Sequence, residues 1–145
     1  MKIKRSIIWF RIAAIFQIAT GLIHSLSFFV SHQPANETEK QLIDLMTNYQ
    51  MDMGAGFHRN FEQIFTSVSI CMTLLCLFAG TLNIYLIKTC SDLKMIKGVI
   101  VINAIVFLFM LIDFIVFAFL PPIICAGLIC VALLLSLLFY KPQSD

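Results

Sequence analysis

Charged side chains are scarce in this chain of 145 residues. Asp, Glu, Lys and Arg together make up 12% of it, about half of the roughly 25% found in soluble domains. With 60% apolar residues and a mean hydropathy of +0.94, too little polar surface remains to clothe a soluble globule. The net charge is only +2, and most basic residues sit beside apolar runs. Nucleic acid, which needs a basic face, is excluded as a partner. The five cysteines are Cys71, Cys76, Cys90, Cys125 and Cys130. They form no CxxC and no Cys/His zinc spacing, and they read as small apolar helix residues. No metal site is expected from them. The chain also lacks internal repeats, low-complexity segments and any stretch outside the apolar runs long enough for a second domain. Residues 1–145 read as one membrane domain.

What is present is four apolar segments, about 6–30, 61–87, 98–120 and 122–140. A span needs about 20 apolar residues to cross a hydrocarbon core of about 30 Å, so the expected fold is an all-α bundle of four transmembrane helices. The second segment is long enough to tilt or protrude. Met1-Lys2-Ile3-Lys4-Arg5 resembles the basic start of a signal peptide. Arg11 interrupts the run and no small-x-small site follows Phe29, so the first span is expected to be retained. Lys2, Lys4, Arg5, Arg11, Lys88, Lys94, Lys97 and Lys141 make up eight of the ten Lys and Arg, and four spans put them all on one side. Lys40 and Arg59 fall on the other. The positive-inside rule then places both termini in the cytoplasm.

The loop 31–60 is the one sizeable extramembrane piece. Pro34 opens it, and Asn36 followed by Glu39 reads as a capping box. Leu42, Leu45, Met46, Tyr49 and Met53 recur at helical spacing, which predicts a short amphipathic helix ended by Gly54-Ala55-Gly56. The helix is not basic, so a lid or packing cap suits it better than attraction to anionic lipid. Leu120-Pro121-Pro122 leaves almost no loop between the third and fourth spans, because proline ends one helix and is tolerated in the first turn of the next.

Polar residues inside the spans are the candidates for function. Glu62, Thr66, Ser69, Thr73, Cys76, Gly80 and Asn83 form one stripe along the second span. In lipid such a stripe belongs against neighbouring helices, or along a polar path. Ala13, Gln17, Gly21 and His24 form a shorter stripe in the first span, and Asn103 and Asp113 are spaced ten apart, nearly on one face of the third. An ionisable group at membrane depth is costly, by about 2.5–3.5 kcal/mol for a central Asp. A rise of 1.5 Å per residue puts His24 and Asp113 at heights matching within roughly 3 Å, so a hydrogen-bonded pair is expected. His58, Arg59 and Glu62 open the second span. His58 and Glu62, four apart, would share a helix face as a partial nitrogen–oxygen metal site or, more simply, a solvated salt-bridge turn. Asp52 is near in sequence. His24, Asp52, His58, Arg59, Glu62 and Asp113 together outline a polar chamber opening outward.

Four blocks carry a resemblance: Thr20-Gly21-Leu22-Ile23-His24-Ser25; Asp52-Met53-Gly54-Ala55-Gly56-Phe57-His58-Arg59 leading to Phe65-Thr66; Gly80-Thr81-Leu82-Asn83; and Phe119-Leu120-Pro121-Pro122. The chain resembles a family of small bacterial four-span inner-membrane proteins without an assigned activity. In size and span count it is more loosely similar to DoxX-like proteins. The resemblance implies the topology and draws attention to His24, Asp52, His58 and Arg59, but implies no mechanism. Small multidrug exporters differ in carrying a carboxylate in the first span, and vitamin K epoxide reductase-like enzymes in carrying CxxC.

Three functional readings follow. The chain size, the absence of a catalytic motif and the 14 Phe favour a binding or accessory component of the bacterial inner membrane. Such a component would act with a lipid or quinone, a membrane-protein partner or a second copy. A membrane enzyme or redox component would use His24 and His58 as acid, base or ligand groups, with a cofactor that the sequence does not specify. A small transporter or ion path would use the second-span stripe as an oligomer.

Overall fold

The structure, a computed structural model, describes residues 2–30 and 33–140. Ser31, at the start of the long loop, and Lys141, used in the charge count, lie outside the described residues. The elements in chain order are α1 (Lys2–Leu26), a 3-10 turn (Ser27–Phe29), α2 (Glu37–Asn48), β1 (Met51–Asp52), β2 (His58–Arg59), α3 (Phe61–Thr89), α4 (Leu93–Phe117) and α5 (Leu120–Phe139). The chain divides into two compact units, Met1–Thr20 with Cys76–Asp145, and Gly21–Leu75.

Four segments are long and apolar enough to cross a membrane: Lys4–Phe29, Phe61–Thr89, Leu93–Phe117 and Leu120–Phe139. Their outward residues are themselves apolar. Phe78, Ile102, Phe109, Ile115 and Leu138 are all exposed, which is tolerable only where lipid replaces water. The chain is therefore an all-α, multi-pass membrane protein. Helix α3 has 29 residues, a length of about 43 Å against a hydrocarbon core of about 30 Å.

In the first unit, α4 and α5 form a hairpin joined by Ala118 and Phe119. The Ala118 amide donates back to the Phe114 carbonyl at 3.0 Å. Pro121 and Pro122 occupy the first turn of α5, where a missing N–H leaves no bond unmade. Helix α4 starts at Leu93, earlier than the hydropathy step at residue 98. The Asp92 side chain caps it, accepting from Lys94 N at 2.8 Å and Met95 N at 3.3 Å. Phe10 and Ala13 of α1, Ile96, Ile100 and Phe107 of α4, and Ile129, Cys130 and Leu133 of α5 make one buried cluster.

In the second unit, the Asn36 cap holds as expected. Its Oδ1 accepts from Glu39 N at 2.9 Å, while the Glu39 carboxylate takes the Ala35 amide at 2.5 Å. The predicted end of the helix does not hold. Helix α2 stops at Asn48, and Tyr49 is already extended at φ −74°, ψ 115°. Residues 51–59 turn back on themselves as a small antiparallel hairpin, pairing Met51 with Arg59 and Asp52 with His58. The Gly54-Ala55-Gly56 run makes the hairpin turn instead of ending a helix. All three residues have positive φ, at 82°, 52° and 79°. Glycine adopts that region freely and alanine at a cost of roughly 1–2 kcal/mol. Asp52 Oδ1 accepts from Gly54 N at 2.8 Å, an Asx turn that fixes the bend. Tyr49 and Met53 kept the helical period only by coincidence of spacing.

Candidate functional site

The polar centre of the first unit is made of three carboxamides on three helices. Gln17 of α1 donates from Nε2 to Asn103 Oδ1 of α4 at 3.0 Å. Asn83 of α3 donates from Nδ2 to Gln17 Oε1 at 2.9 Å and to Asn103 Oδ1 at 2.8 Å. Asn103 Nδ2 donates to the Val99 carbonyl at 2.9 Å and more weakly to Asn83 Oδ1 at 3.4 Å. Gln17 and Asn83 are 0% and 2% exposed. Asn103 lies ten residues into α4, about 15 Å from its start, which is mid-membrane depth. At that depth an amide lacking a partner is expensive, so the closed triad specifies how α1, α3 and α4 meet. A second polar tie, Ser136 Oγ donating to the Ser6 carbonyl at 2.9 Å, joins α5 to α1.

The stripe along α3 changes character on the way down. Thr73, Cys76, Gly80 and Asn83 are buried. A Cβ added to Gly80 would lie 2.7 Å from the Ala14 carbonyl oxygen and 2.6 Å from Ile18 Cγ1, so glycine is what lets α3 close onto α1. Glu62 and Thr66 are exposed and Ser69 is half-buried. The lower stretch is therefore packing, and the upper stretch has space beside it.

That space is a groove of about 380 Å3 in the second unit. Ser27, Phe28 and Val30 line it from the turn after α1, Ile43, Met46 and Thr47 from α2, and Glu62, Phe65, Thr66 and Ser69 from α3. A second hollow of about 410 Å3 runs along the same helix past Gln63, Ser67, Ile70 and Cys71, sharing Glu62 and Thr66. Asn60 builds this corner. Its Oδ1 accepts from Gln63 N at 2.8 Å, Gln63 Oε1 accepts from Asn60 N at 3.1 Å, and Asn60 Nδ2 donates to the Thr47 carbonyl at the end of α2. This is a reciprocal capping box that also ties two helices. The signal Asn-x-x-Gln before an apolar run was present in the sequence, but the reading of residues 58–62 as helix hid it.

No family model, no curated protein and no solved structure matches the chain. The site therefore rests on its own geometry. His58 sits on β2, before α3 begins at Phe61. The four-residue spacing to Glu62 is thus not a helical turn, and the expected shared face is corrected. Among the described residues, no three His, Cys, Asp or Glu side chains come together as metal ligands. Arg59 donates to the His58 carbonyl at 2.7 Å and lies 5.7 Å from the Phe57 ring centre. Asp52 is engaged in its turn. Asp113 is exposed on α4 and belongs to the first unit, whereas Asn103 faces inward. Ten residues are about 1000° of helix, roughly 80° short of three full turns, so the two do not share a face. His24, in the second unit, is half-buried with its ring edge-on to Phe28 at 5.9 Å. Its Nε2 and the Thr73 hydroxyl are buried and have no hydrogen-bond partner among the described residues.

The hydroxyls of the groove are not all used in the same way. Thr47, Thr81 and Thr89 each donate to the carbonyl four residues back, at 2.9, 2.7 and 2.9 Å. Thr66 and Ser69 make no such bond among the described residues, and Glu62 has no ion-pair or hydrogen-bond partner there. Three groups with free bonding capacity thus line one wall.

Proposed function

We propose that this protein is a binding component of the bacterial inner membrane, with both termini cytoplasmic, that takes an amphiphilic ligand into the groove of the Gly21–Leu75 unit. The observation that carries this reading is the composition of that groove: apolar side chains from Phe28, Val30, Ile43 and Phe65 beside Glu62, Thr66 and Ser69, whose polar atoms are not engaged among the described residues. Small sites that hold a ligand combine mostly apolar lining with a few placed polar groups. The packed lower stripe argues against an ion path along α3, because Thr73, Cys76 and Asn83 are closed off and Gly80 is in backbone contact with α1. The resemblance to small four-span inner-membrane proteins supports the location. Purification in mild detergent followed by native mass spectrometry tests the reading. A bound small molecule at near-equimolar amount is expected, and protein that emerges consistently without one would sink it.

A further inference from the structure

We propose that the groove holds the headgroup of an aminophospholipid, its ammonium on Glu62 and its phosphate and ester oxygens on Thr66 and Ser69. This rests on the binding reading above and names its ligand. The first argument is charge. Residues 21–75 contain Glu37, Glu39, Asp44, Asp52 and Glu62 against Lys40 and Arg59 alone. Lys40 pairs with Glu37 at 3.4 Å, and Arg59 is held over Phe57. Among the described residues Glu62 is a carboxylate without a cation, in a segment that is acidic overall, so the complement it lacks is positive.

The second argument is order. From the start of α3 the free groups run carboxylate, hydroxyl, hydroxyl. A rise of 1.5 Å per residue puts Thr66 about 6 Å and Ser69 about 10.5 Å below Glu62. An aminophospholipid entering from the membrane surface presents its groups in the matching sequence: ammonium outermost, phosphate two carbons deeper, ester oxygens next, then acyl chains. Thr66 and Ser69 can each donate one O–H to the phosphate or ester oxygens. Gln63, whose Oε1 is engaged by Asn60 N, lines the adjoining hollow. Ile70 and Cys71 continue the hollow below, where acyl chains would lie. A primary ammonium can donate N–H bonds to Glu62, which a quaternary choline cannot, so the site should prefer the primary amine.

The test uses the full chain, equilibrated with an equal mixture of dioleoyl phosphatidylethanolamine, phosphatidylcholine and phosphatidylglycerol, with retained lipids counted by native mass spectrometry. Phosphatidylethanolamine should be retained about tenfold over each of the others. Glu62→Gln should abolish that preference, and Thr66→Val should weaken retention of the lipid without changing which headgroup is preferred. Both residues are exposed, and an unchanged circular dichroism spectrum checks that each variant folds. Equal retention of choline and ethanolamine lipids, or a preference that survives Glu62→Gln, overturns the headgroup assignment while leaving a lipid-binding groove. Retention of no lipid above its share of the mixture overturns the groove reading as well.

Discussion

Two kinds of buried polar residue sit in this protein, and they should respond oppositely to removal. Asn83 bonds both Gln17 and Asn103. Replacing it with Leu leaves their amides unpaired in an apolar medium, a penalty of about 1–3 kcal/mol. Thermal unfolding of Asn83→Leu in detergent should show a clear drop in midpoint. Thr73, with its hydroxyl buried and unpartnered among the described residues, stands the other way. Thr73→Val removes an unsatisfied group at nearly constant volume and should leave the midpoint unchanged or raise it. A loss as large as that of Asn83→Leu would show that the Thr73 hydroxyl is engaged after all. Each amide of the triad was visible in the sequence as a polar residue within an apolar run. Their meeting was not, because helical spacing gives a residue's direction on its own helix and says nothing of rotation against two others.

At the scale of the element, hydropathy marked all four spans to within a few residues, because an apolar run of membrane length has few alternatives. The failures came where short-range signals overlap. Tyr49 and Met53 continue the 3.6-residue period of α2, yet a Gly-Ala-Gly run tolerates positive φ at three successive positions, and the backbone turned there into a hairpin. That turn in turn displaced His58 from α3 and left Asn60 as its cap. Asn60→Ala should therefore destabilise the start of α3 by about 0.5–2 kcal/mol. It should also loosen the end of α2, read as faster amide exchange at residues 44–48 and 61–64. Protection equal to wild type at both places would show that the cap is dispensable. Gly80 governs a different contact. Gly80→Val puts branched carbon where the Ala14 carbonyl lies 2.7 Å from a first Cβ. Overpacking of this kind costs typically 1–3 kcal/mol, so the variant should melt earlier than wild type, with Gly80→Ala in between. A Gly80→Val protein as stable as wild type would mean that α1 and α3 are not tightly apposed.

Over the whole molecule, charge follows the two units. The segments 1–20 and 76–145 carry eight of the ten Lys and Arg, and residues 21–75 carry five of the eight Asp and Glu. The proposed topology, with both termini cytoplasmic, predicts that alkaline phosphatase fused after Gln50 is active and that a fluorescent protein at the C-terminus folds. The reverse pattern would invert the proposed topology. The carboxamide centre lies within the first of these units, and its chemistry has a consequence of its own. A carboxamide neither gains nor loses a proton near neutral pH, and it carries no net charge for a transmembrane voltage to act on. The clamp that joins α1, α3 and α4 is therefore electrically silent. Acidification or energisation of the membrane leaves it as it was, and any response this protein makes to either must begin at its charged residues.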